Sequence, residues 1–205
     1  SKRVLLAGHS QGGHAALWAA AIGPSWTPEL KIRGTVAFAP ASFLGLQAYW
    51  LRFLPTKQFS GLAGAILRGA DISAPWLKVG QQLTDKARAL WPETLTKCSS
   101  ELSLEDSWGG LNANEIVRPG TDVTWTVDVL SRNGPENLTI YSPVTILQGE
   151  ADGTALKPIT DLLAIGYLLR GMAITYRTFP QYSHGDIVAK ADSQDAALAA
   201  LNAWR

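Results

Sequence analysis

The strongest constraint on the fold is a ten-residue stretch near the start of the chain, Val4-Leu5-Leu6-Ala7-Gly8-His9-Ser10-Gln11-Gly12-Gly13. A short apolar run leads directly into a Gly-rich turn, and an Ala-rich helical stretch follows. This pattern predicts a strand, a sharp turn and a helix. Ser10 stands between Gly8 and Gly12, and glycines two residues before and after a strained serine let strand and helix approach without Cβ clashes. We therefore expect Ser10 at the tip of the turn.

Length and composition favour a globular protein. The 205 residues are 46% hydrophobic, which predicts one domain, or one domain with an insertion. A net charge of +1 without runs of like charge gives no basis for nucleic-acid or membrane-surface binding. The apolar stretch Phe43–Leu54 is interrupted by polar residues and is shorter than the roughly 20 residues that span a bilayer. We expect a soluble protein without a transmembrane segment, in which the single cysteine, Cys98, is structural or free.

Short apolar runs alternate with helical stretches at both ends of the sequence. The predicted strands are the run before Ser10, Thr35–Ala39, Pro143–Gly149 and Ala173–Phe179. The predicted helices are Gln11–Ile22, stopped by Gly23-Pro24, then Pro158–Arg170 and Ser193–Arg205. Wholly apolar strands joined through helices are typical of a parallel sheet, so the fold class is α/β.

The middle of the chain, 42–141, differs from both ends because it is rich in aromatic residues, Gly and Pro and lacks such strands. We interpret it as a mainly helical cap inserted into a core formed by 1–41 and 142–205. Helices are predicted over Phe43–Leu54, Phe59–Gly69 and Trp76–Leu90, and a loop over Trp108–Gly120. The alternation in Asp122–Leu130 fits either a half-exposed strand or the start of a short helix.

A serine hydroxyl becomes a nucleophile when an imidazole accepts its proton and a carboxylate holds that imidazole in one tautomer. The chain has three histidines. His9 precedes Ser10 in the turn and His14 lies on the following helix, so both are expected to be structural. His184 lies in the loop after the last predicted strand, at the edge of a parallel sheet that also carries Ser10. His184 is therefore the expected base.

The carboxylate should follow another strand and lie between Ser10 and His184 in chain order. Asp152, in the loop after the third predicted strand, meets both conditions. Glu150 and Asp186 are the alternatives, but Glu150 is closer to the strand end and Asp186 is near enough to His184 in sequence to solvate or cap its loop. Asp152 is favoured because a residue further into the loop can reach toward the imidazole.

An oxyanion intermediate needs two hydrogen-bond donors. The backbone N–H of Gln11, directly after Ser10, is one of them. The second should come from a loop after an earlier strand, and we expect it to lie outside this sequence.

Four segments carry a family resemblance: Gly8-His9-Ser10-Gln11-Gly12-Gly13, the strand ending Ala39-Pro40, Gln148-Gly149-Glu150-Ala151-Asp152 and Ser183-His184-Gly185. Together they resemble the C-terminal half of an α/β-hydrolase, most of all the secretory lipase and esterase branch, in which a helical cap follows the strand after the serine turn. The resemblance covers 1–41 and 142–205. It implies a parallel sheet of about four strands and the same roles for Ser10, Gln11, Asp152 and His184.

A full member of that fold has about four more strands ahead of the serine turn. The first strand here should then be central, and without its neighbours one hydrogen-bonding edge would be open to water. The hypothesis is that the chain is a fragment or processed half that pairs with an N-terminal polypeptide, or that it dimerises through this edge. Its first residue, Ser1, is not Met, which agrees with a removed leader.

The leading functional hypothesis is a secreted serine hydrolase of small-molecule esters or lipids that needs no cofactor and no metal; a cytoplasmic location is the alternative. Phe43, Tyr49, Trp50 and Phe53 are candidate substrate-binding residues, although such aromatic residues, with Phe59 and Trp76, also suit the core of the cap. Peptidases, thioesterases and acyltransferases share the acyl-enzyme step. The alternative from another class is a non-catalytic binding or assembly module.

Overall fold

The computed structural model describes residues 2–205 and contains one parallel sheet with helices around it. The strands are β1 (Arg3–His9), β2 (Lys31–Phe38), β3 (Val144–Gly149) and β4 (Ile174–Phe179). The helices are α1 (Gln11–Trp26), α2 (Leu44–Leu51), α3 (Ser60–Ser73), α4 (Val79–Gln82), α5 (Asp85–Leu90), α6 (Ser99–Leu102), α7 (Thr124–Arg132), α8 (Lys157–Leu169), α9 (Asp186–Ala189) and α10 (Ala191–Ala203). Short 3-10 helices cover Pro75–Leu77, Trp91–Leu95, Trp108–Gly110, Ala113–Glu115 and Pro135–Asn137.

The chain divides into two compact units. The sheet unit contains the described residues up to Phe43 together with Gly134–Arg205, and the helical unit is Leu44–Asn133. Among residues 2–205 no helix is both long and apolar enough to cross a membrane.

The four strands lie in the order β1-β2-β3-β4, and all neighbours are parallel. Every residue of β3 is buried, as are the last five residues of β2, whereas β1 and β4 at the two edges are partly exposed. Both faces of the central strands are covered, which explains why these strands are apolar runs rather than alternating patterns. The predicted α/β parallel sheet of four strands is confirmed.

Side chains from β2 and β3 enter two separate cores. Ala37 and Ile146 pack with residues of α1 and α8, and their neighbours Val36 and Leu147 pack with residues of α9 and α10. Because successive strand residues point to opposite faces, the helices lie on both sides of the sheet. This sandwich leaves the carboxyl ends of the four strands at one edge, where Ser10 and the loops after β3 and β4 lie.

Helix α1 runs past the predicted stop at Gly23-Pro24 and ends at Trp26, so that prediction was wrong. A proline in a helix removes one hydrogen bond and usually ends it. After the proline, the hydroxyls of Ser25 and Thr27 donate to the carbonyls of Ile22 and Gly23 at 2.7 and 3.0 Å.

The helical unit packs around a cluster that includes Trp108, whose indole N–H donates to the Leu90 carbonyl at 3.0 Å. The single helix predicted for Trp76–Leu90 is instead broken into α4, α5 and a 3-10 turn. Lys78 has a left-handed φ of 49°, and Leu83 forms an antiparallel β-bridge with Val117, which is distant in sequence. A tertiary contact thus overrides local helix propensity here.

In this unit one helix is longer than predicted, and a segment that the sequence left open between strand and helix is a helix. The helix predicted over Phe59–Gly69 extends to Ser73, and Asp122–Leu130, for which strand and helix were both open, belongs mainly to α7. Cys98 is exposed and has no disulfide partner.

Candidate active site

Ser10 occupies the turn between β1 and α1 in a strained backbone conformation, with φ 58° and ψ −120°. Three backbone hydrogen bonds hold it there. Its N–H donates to the carbonyl of Phe38 at 2.9 Å, and its carbonyl accepts from the N–H groups of His14 and Ala41 at 3.0 and 3.2 Å. Such a conformation costs about 1–3 kcal/mol for a residue with a Cβ and persists only where the surroundings impose it. The fold thus stores strain at the candidate nucleophile.

The two glycines around Ser10 have different roles. A Cβ on Gly8 would lie 2.0 Å from the carbonyl oxygen of Gly12, so only glycine allows the strand to pass this close to the helix. A Cβ on Gly12 would meet nothing within 4 Å. The prediction that Gly12 prevents a Cβ clash was therefore wrong, because it is the backbone of Gly12, and not its missing side chain, that contacts Gly8.

Asp152 lies in the loop after β3 with a fully buried carboxylate. Its Oδ1 accepts the backbone N–H groups of Thr154 and Ala155 at 2.8 and 2.9 Å. Its Oδ2 accepts from His184 Nδ1 at 2.8 Å and from Gln148 Nε2 at 3.3 Å. Burial alone would raise the pKa of Asp152, but the His184 hydrogen bond and the two backbone donors outweigh it, and the pKa lies below its ordinary value. The carboxylate is therefore an anion at neutral pH.

His184 lies in the loop after β4, and its ring is about one-fifth exposed. A carboxylate only accepts hydrogen bonds, so the 2.8 Å contact with Asp152 places the ring proton on Nδ1. In the neutral imidazole Nε2 is then unprotonated and can accept a proton. The pair has the geometry of a base held in one tautomer by a buried anion.

The loops that carry this pair are joined backbone to backbone. The N–H of Ala151 donates to the carbonyl of Tyr182, and the N–H of Glu150 donates to the carbonyl of Phe179, both at 3.0 Å. A Cβ on Gly149 would lie 2.3 Å from the Tyr182 carbonyl oxygen, so the approach of the loops requires glycine at the end of β3.

The two alternative carboxylates have other partners. The exposed Glu150 accepts a hydrogen bond from the hydroxyl of Thr178 at 2.7 Å. Asp186 accepts from the N–H and hydroxyl of Ser183 at 3.0 and 2.7 Å, and so caps the loop that carries His184. Among the hydrogen bonds of the described residues, Asp152 is the carboxylate that contacts the His184 ring.

Two histidines contact backbone around Ser10. His9 Nε2 lies 2.8 Å from the carbonyl oxygen of His184, and His14 Nδ1 lies 3.1 Å from that of Ala41. Both interactions use backbone carbonyls, so residue types alone do not reveal them. The His9 contact links the residue before Ser10 to the residue that binds Asp152.

Gln148, which is fully buried in β3, was not among the sequence candidates. Its Nε2 lies within hydrogen-bond distance of Asp152 and of the carbonyls of Gly149 and Ala155, and its Oε1 accepts from Thr160 at 2.8 Å. It thereby joins the start, middle and end of the Asp152 loop. The signal that could have identified it is a polar side chain in an otherwise apolar buried strand.

Gln11 is the first residue of α1, where backbone N–H groups have no partner inside the helix. The positive end of the helix dipole is at the same place, so the N–H of Gln11 suits a developing oxyanion.

The candidate substrate-binding residues fall into two groups. Phe43 belongs to the sheet unit, where it is partly buried against the core of α1 and α8, and its N–H donates to Glu136 at 2.9 Å. Tyr49 and Trp50 lie at the end of α2, Phe53 follows the helix, and all three are exposed on the helical unit. The Tyr49 ring lies 5.4 Å from that of Trp50 and 5.8 Å from that of Phe53, both in edge-on contacts.

Comparison with solved structures identifies similar folds at low sequence identity. Candida antarctica lipase A matches with a TM-score of 0.68 and 18% identity, covering 89% of this chain and 44% of the lipase. A rice cell wall degrading esterase, LipA from Xanthomonas oryzae, matches with a TM-score of 0.74 and 17% identity, covering 91% and 53%. A putative hydrolase from Legionella pneumophila matches with a TM-score of 0.73 and 12% identity, covering 91% and 53%.

This chain spans about half the length of these structures, and the likeness establishes the α/β-hydrolase fold. No match was found among curated proteins. The family model for secretory lipases matches residues 1–203, nearly the whole sequence. The chain therefore belongs to the secretory lipase family.

Proposed function

We propose that this chain carries the active site of a serine hydrolase that cleaves carboxylic esters through an acyl-enzyme on Ser10. The observation that carries the proposal is the 2.8 Å hydrogen bond between His184 and the buried Asp152, with Ser10 in a strained turn at the same edge of the sheet. Membership of the secretory lipase family supports an ester or lipid as the substrate.

In the proposed mechanism, Ser10 Oγ attacks the ester carbonyl while His184 Nε2 takes the serine proton. The oxyanion accepts a hydrogen bond from the backbone N–H of Gln11. His184 then gives its proton to the leaving alcohol, which leaves an acyl-enzyme. Water, deprotonated by His184, attacks this ester, and Ser10 regains its proton as the acid is released.

Asp152 remains ionised throughout and stabilises the imidazolium that forms on His184. Its lowered pKa supports this role, because the carboxylate keeps its charge at any pH at which the imidazole is neutral. The two backbone N–H groups on Oδ1 fix the carboxylate, so Oδ2 stays directed at the ring.

We further propose that 42–141 acts as a cap whose exposed aromatic side chains bind the apolar part of the substrate. Tyr49, Trp50 and Phe53 form a cluster of this kind on the helical unit. Phe43 is the fourth proposed contact. Apolar acyl chains gain roughly 25 cal/mol per Å² of buried surface, so activity should rise with acyl length up to the capacity of the site.

The free edge of β1 supports the proposal that a further polypeptide or a second copy of the chain pairs with it. Among the described residues β1 pairs with β2 alone, and its side chains are partly exposed. An open edge of this kind promotes aggregation unless another strand covers it. A monodisperse, active monomer of 22.0 kDa would contradict this proposal.

The family also supports secretion of the protein. The expected result is ester hydrolase activity in the culture medium of the source organism, removed by an antibody against this chain. Activity confined to the cell fraction would favour the cytoplasmic alternative.

Labelling with a fluorophosphonate tests the central proposal in the complete natural protein. We expect one covalent adduct on Ser10 and none in the Ser10→Ala variant. An absence of adduct in the natural protein would defeat the proposal and favour a non-catalytic binding or assembly module.

A series of esters of increasing acyl length, compared with amide and thioester analogues, then identifies the reaction class. Ester cleavage that is faster than amide or thioester cleavage supports the proposal. The opposite order would favour a peptidase or a thioesterase, and transfer to an added alcohol in preference to water would favour an acyltransferase.

A further inference from the structure

His9 and the loop of the proposed base are in direct contact. His9 Nε2 lies 2.8 Å from the carbonyl oxygen of His184, and the two imidazole rings lie 4.5 Å apart with an interplanar angle of 41°. A carbonyl oxygen only accepts hydrogen bonds, so the proton of the His9 ring is on Nε2.

This contact joins parts of the sheet that are not neighbours. His9 ends β1 and His184 follows β4, and two strands lie between them in the order β1-β2-β3-β4. The loop is held to β3 by Asp152 and by the N–H of Ala151. His9 binds the same loop from the end of β1, and His9 is the residue directly before Ser10.

The charges around His9 suit a neutral donor. Burial, followed by the charge of the neighbouring His184, lowers the pKa of His9, whereas the hydrogen bond to the His184 carbonyl and the charge of Asp152 partly oppose this. The lowered pKa favours the neutral form of His9 beside the imidazolium that the proposed mechanism forms on His184. A second cation 4.5 Å away would oppose that protonation.

We propose that His9 is a positioning residue that sets the place of the His184 imidazole relative to Ser10 by donating a hydrogen bond from Nε2 to the His184 carbonyl. The inference rests on the proposed function, because it assigns His9 a role in the reaction of Ser10. Residues that orient a catalytic group affect the rate of reaction more than the binding of substrate, and a displacement of about 1 Å can cost 10²-fold in rate.

The matched variants are His9→Gln and His9→Met, which have side chains of similar length and differ in the presence of an N–H donor. They are compared in the complete natural protein by the rate of fluorophosphonate labelling and by kcat and KM for a short ester. We expect His9→Met to lower the labelling rate and kcat about 10- to 100-fold with little change in KM. His9→Gln should recover most of this loss.

A spectroscopic readout separates positioning from general destabilisation. The Nδ1 proton of His184, bonded to Asp152, should give a low-field proton resonance that weakens in His9→Met and persists in His9→Gln. His14→Phe is a control for the spectrum, because it removes another histidine-to-carbonyl hydrogen bond at 3.1 Å and should leave this resonance in place.

The nitrogen spectrum of the unmodified protein tests the inference without any variant. A protonated Nε2 on His9 supports it, and a proton on Nδ1 overturns it. Equal labelling rates for natural protein and His9→Met also overturn it. If instead the natural protein does not label, or Ser10→Ala labels equally, the proposed function fails, while the nitrogen spectrum still reports on the His9 contact.

Discussion

Replacing Asp152 with Asn removes one charge from the site and should nearly abolish catalysis. The carboxylate accepts two backbone N–H groups on one oxygen and His184 and Gln148 on the other. An asparagine has one acceptor oxygen and one NH2 group, so in either orientation its NH2 group faces N–H donors. His184 can avoid the conflict by moving its proton from Nδ1 to Nε2.

That change of tautomer sets the magnitude of the effect. With the proton on Nε2, His184 cannot accept one from Ser10, and the anion that stabilises the imidazolium is gone. We expect kcat to fall about 10⁴-fold, the scale found for the same substitution in a serine protease. This corresponds to roughly 5 kcal/mol in the activation free energy.

The assay is steady-state hydrolysis of a short chromogenic ester, with the rate of fluorophosphonate labelling as a measure of acylation alone. Glu150→Gln is the matched control, because it removes the same charge from an exposed side chain in the same loop. It should keep activity within about twofold, as surface substitutions usually do. The reasoning is refuted if Asp152→Asn keeps more than about a tenth of the activity, or if Glu150→Gln loses as much as Asp152→Asn.

Four further predictions concern stability and can be measured by urea unfolding. Ser10→Gly should be about 1 kcal/mol more stable than Ser10→Ala, because relief of the strained backbone outweighs the entropy of glycine, and equal stabilities would contradict the strain. Gly149→Ala should cost about 1–3 kcal/mol and lower activity, since its methyl group would lie 2.3 Å from the Tyr182 carbonyl oxygen; an unchanged midpoint would refute this. Gln148→Met should destabilise the protein by about 1–3 kcal/mol, because the buried partners of Gln148 lose their hydrogen bonds, and it should raise the pKa of Asp152. An unchanged free energy of unfolding would show that Gln148 does not support the Asp152 loop. Because the pKa of Asp152 is lower in the folded protein, its carboxylate should stabilise the fold above about pH 4, and this stabilisation should be lost as the pH falls through the folded pKa. If the free energy of unfolding of the natural protein instead rose relative to that of Asp152→Asn on acidification, the lowered pKa would be contradicted.

The strands of the sheet could be predicted because each is marked by the residue types of its own consecutive residues. Strands buried on both faces are mostly apolar along their length, and Val144–Gly149 is buried at all six residues, with Thr145 and Gln148 as its polar side chains. The helical unit was less predictable because distant contacts shape it. The break in Trp76–Leu90 depends on the bridge between Leu83 and Val117, and neither residue indicates the other in sequence.

The same distinction applies to the candidate site. In a parallel sheet the carboxyl ends of all strands lie at the same edge, and this rule is enough to place the loops of Asp152 and His184 at one edge. It says nothing of contacts between strands that are not neighbours. The His9 hydrogen bond spans β1 and β4 and ends on a backbone carbonyl, which every residue possesses, so no residue type in the His184 loop could indicate it. Residue types thus identify the groups that could react, whereas the contacts that hold those groups in place depend on how the whole sheet brings its ends together.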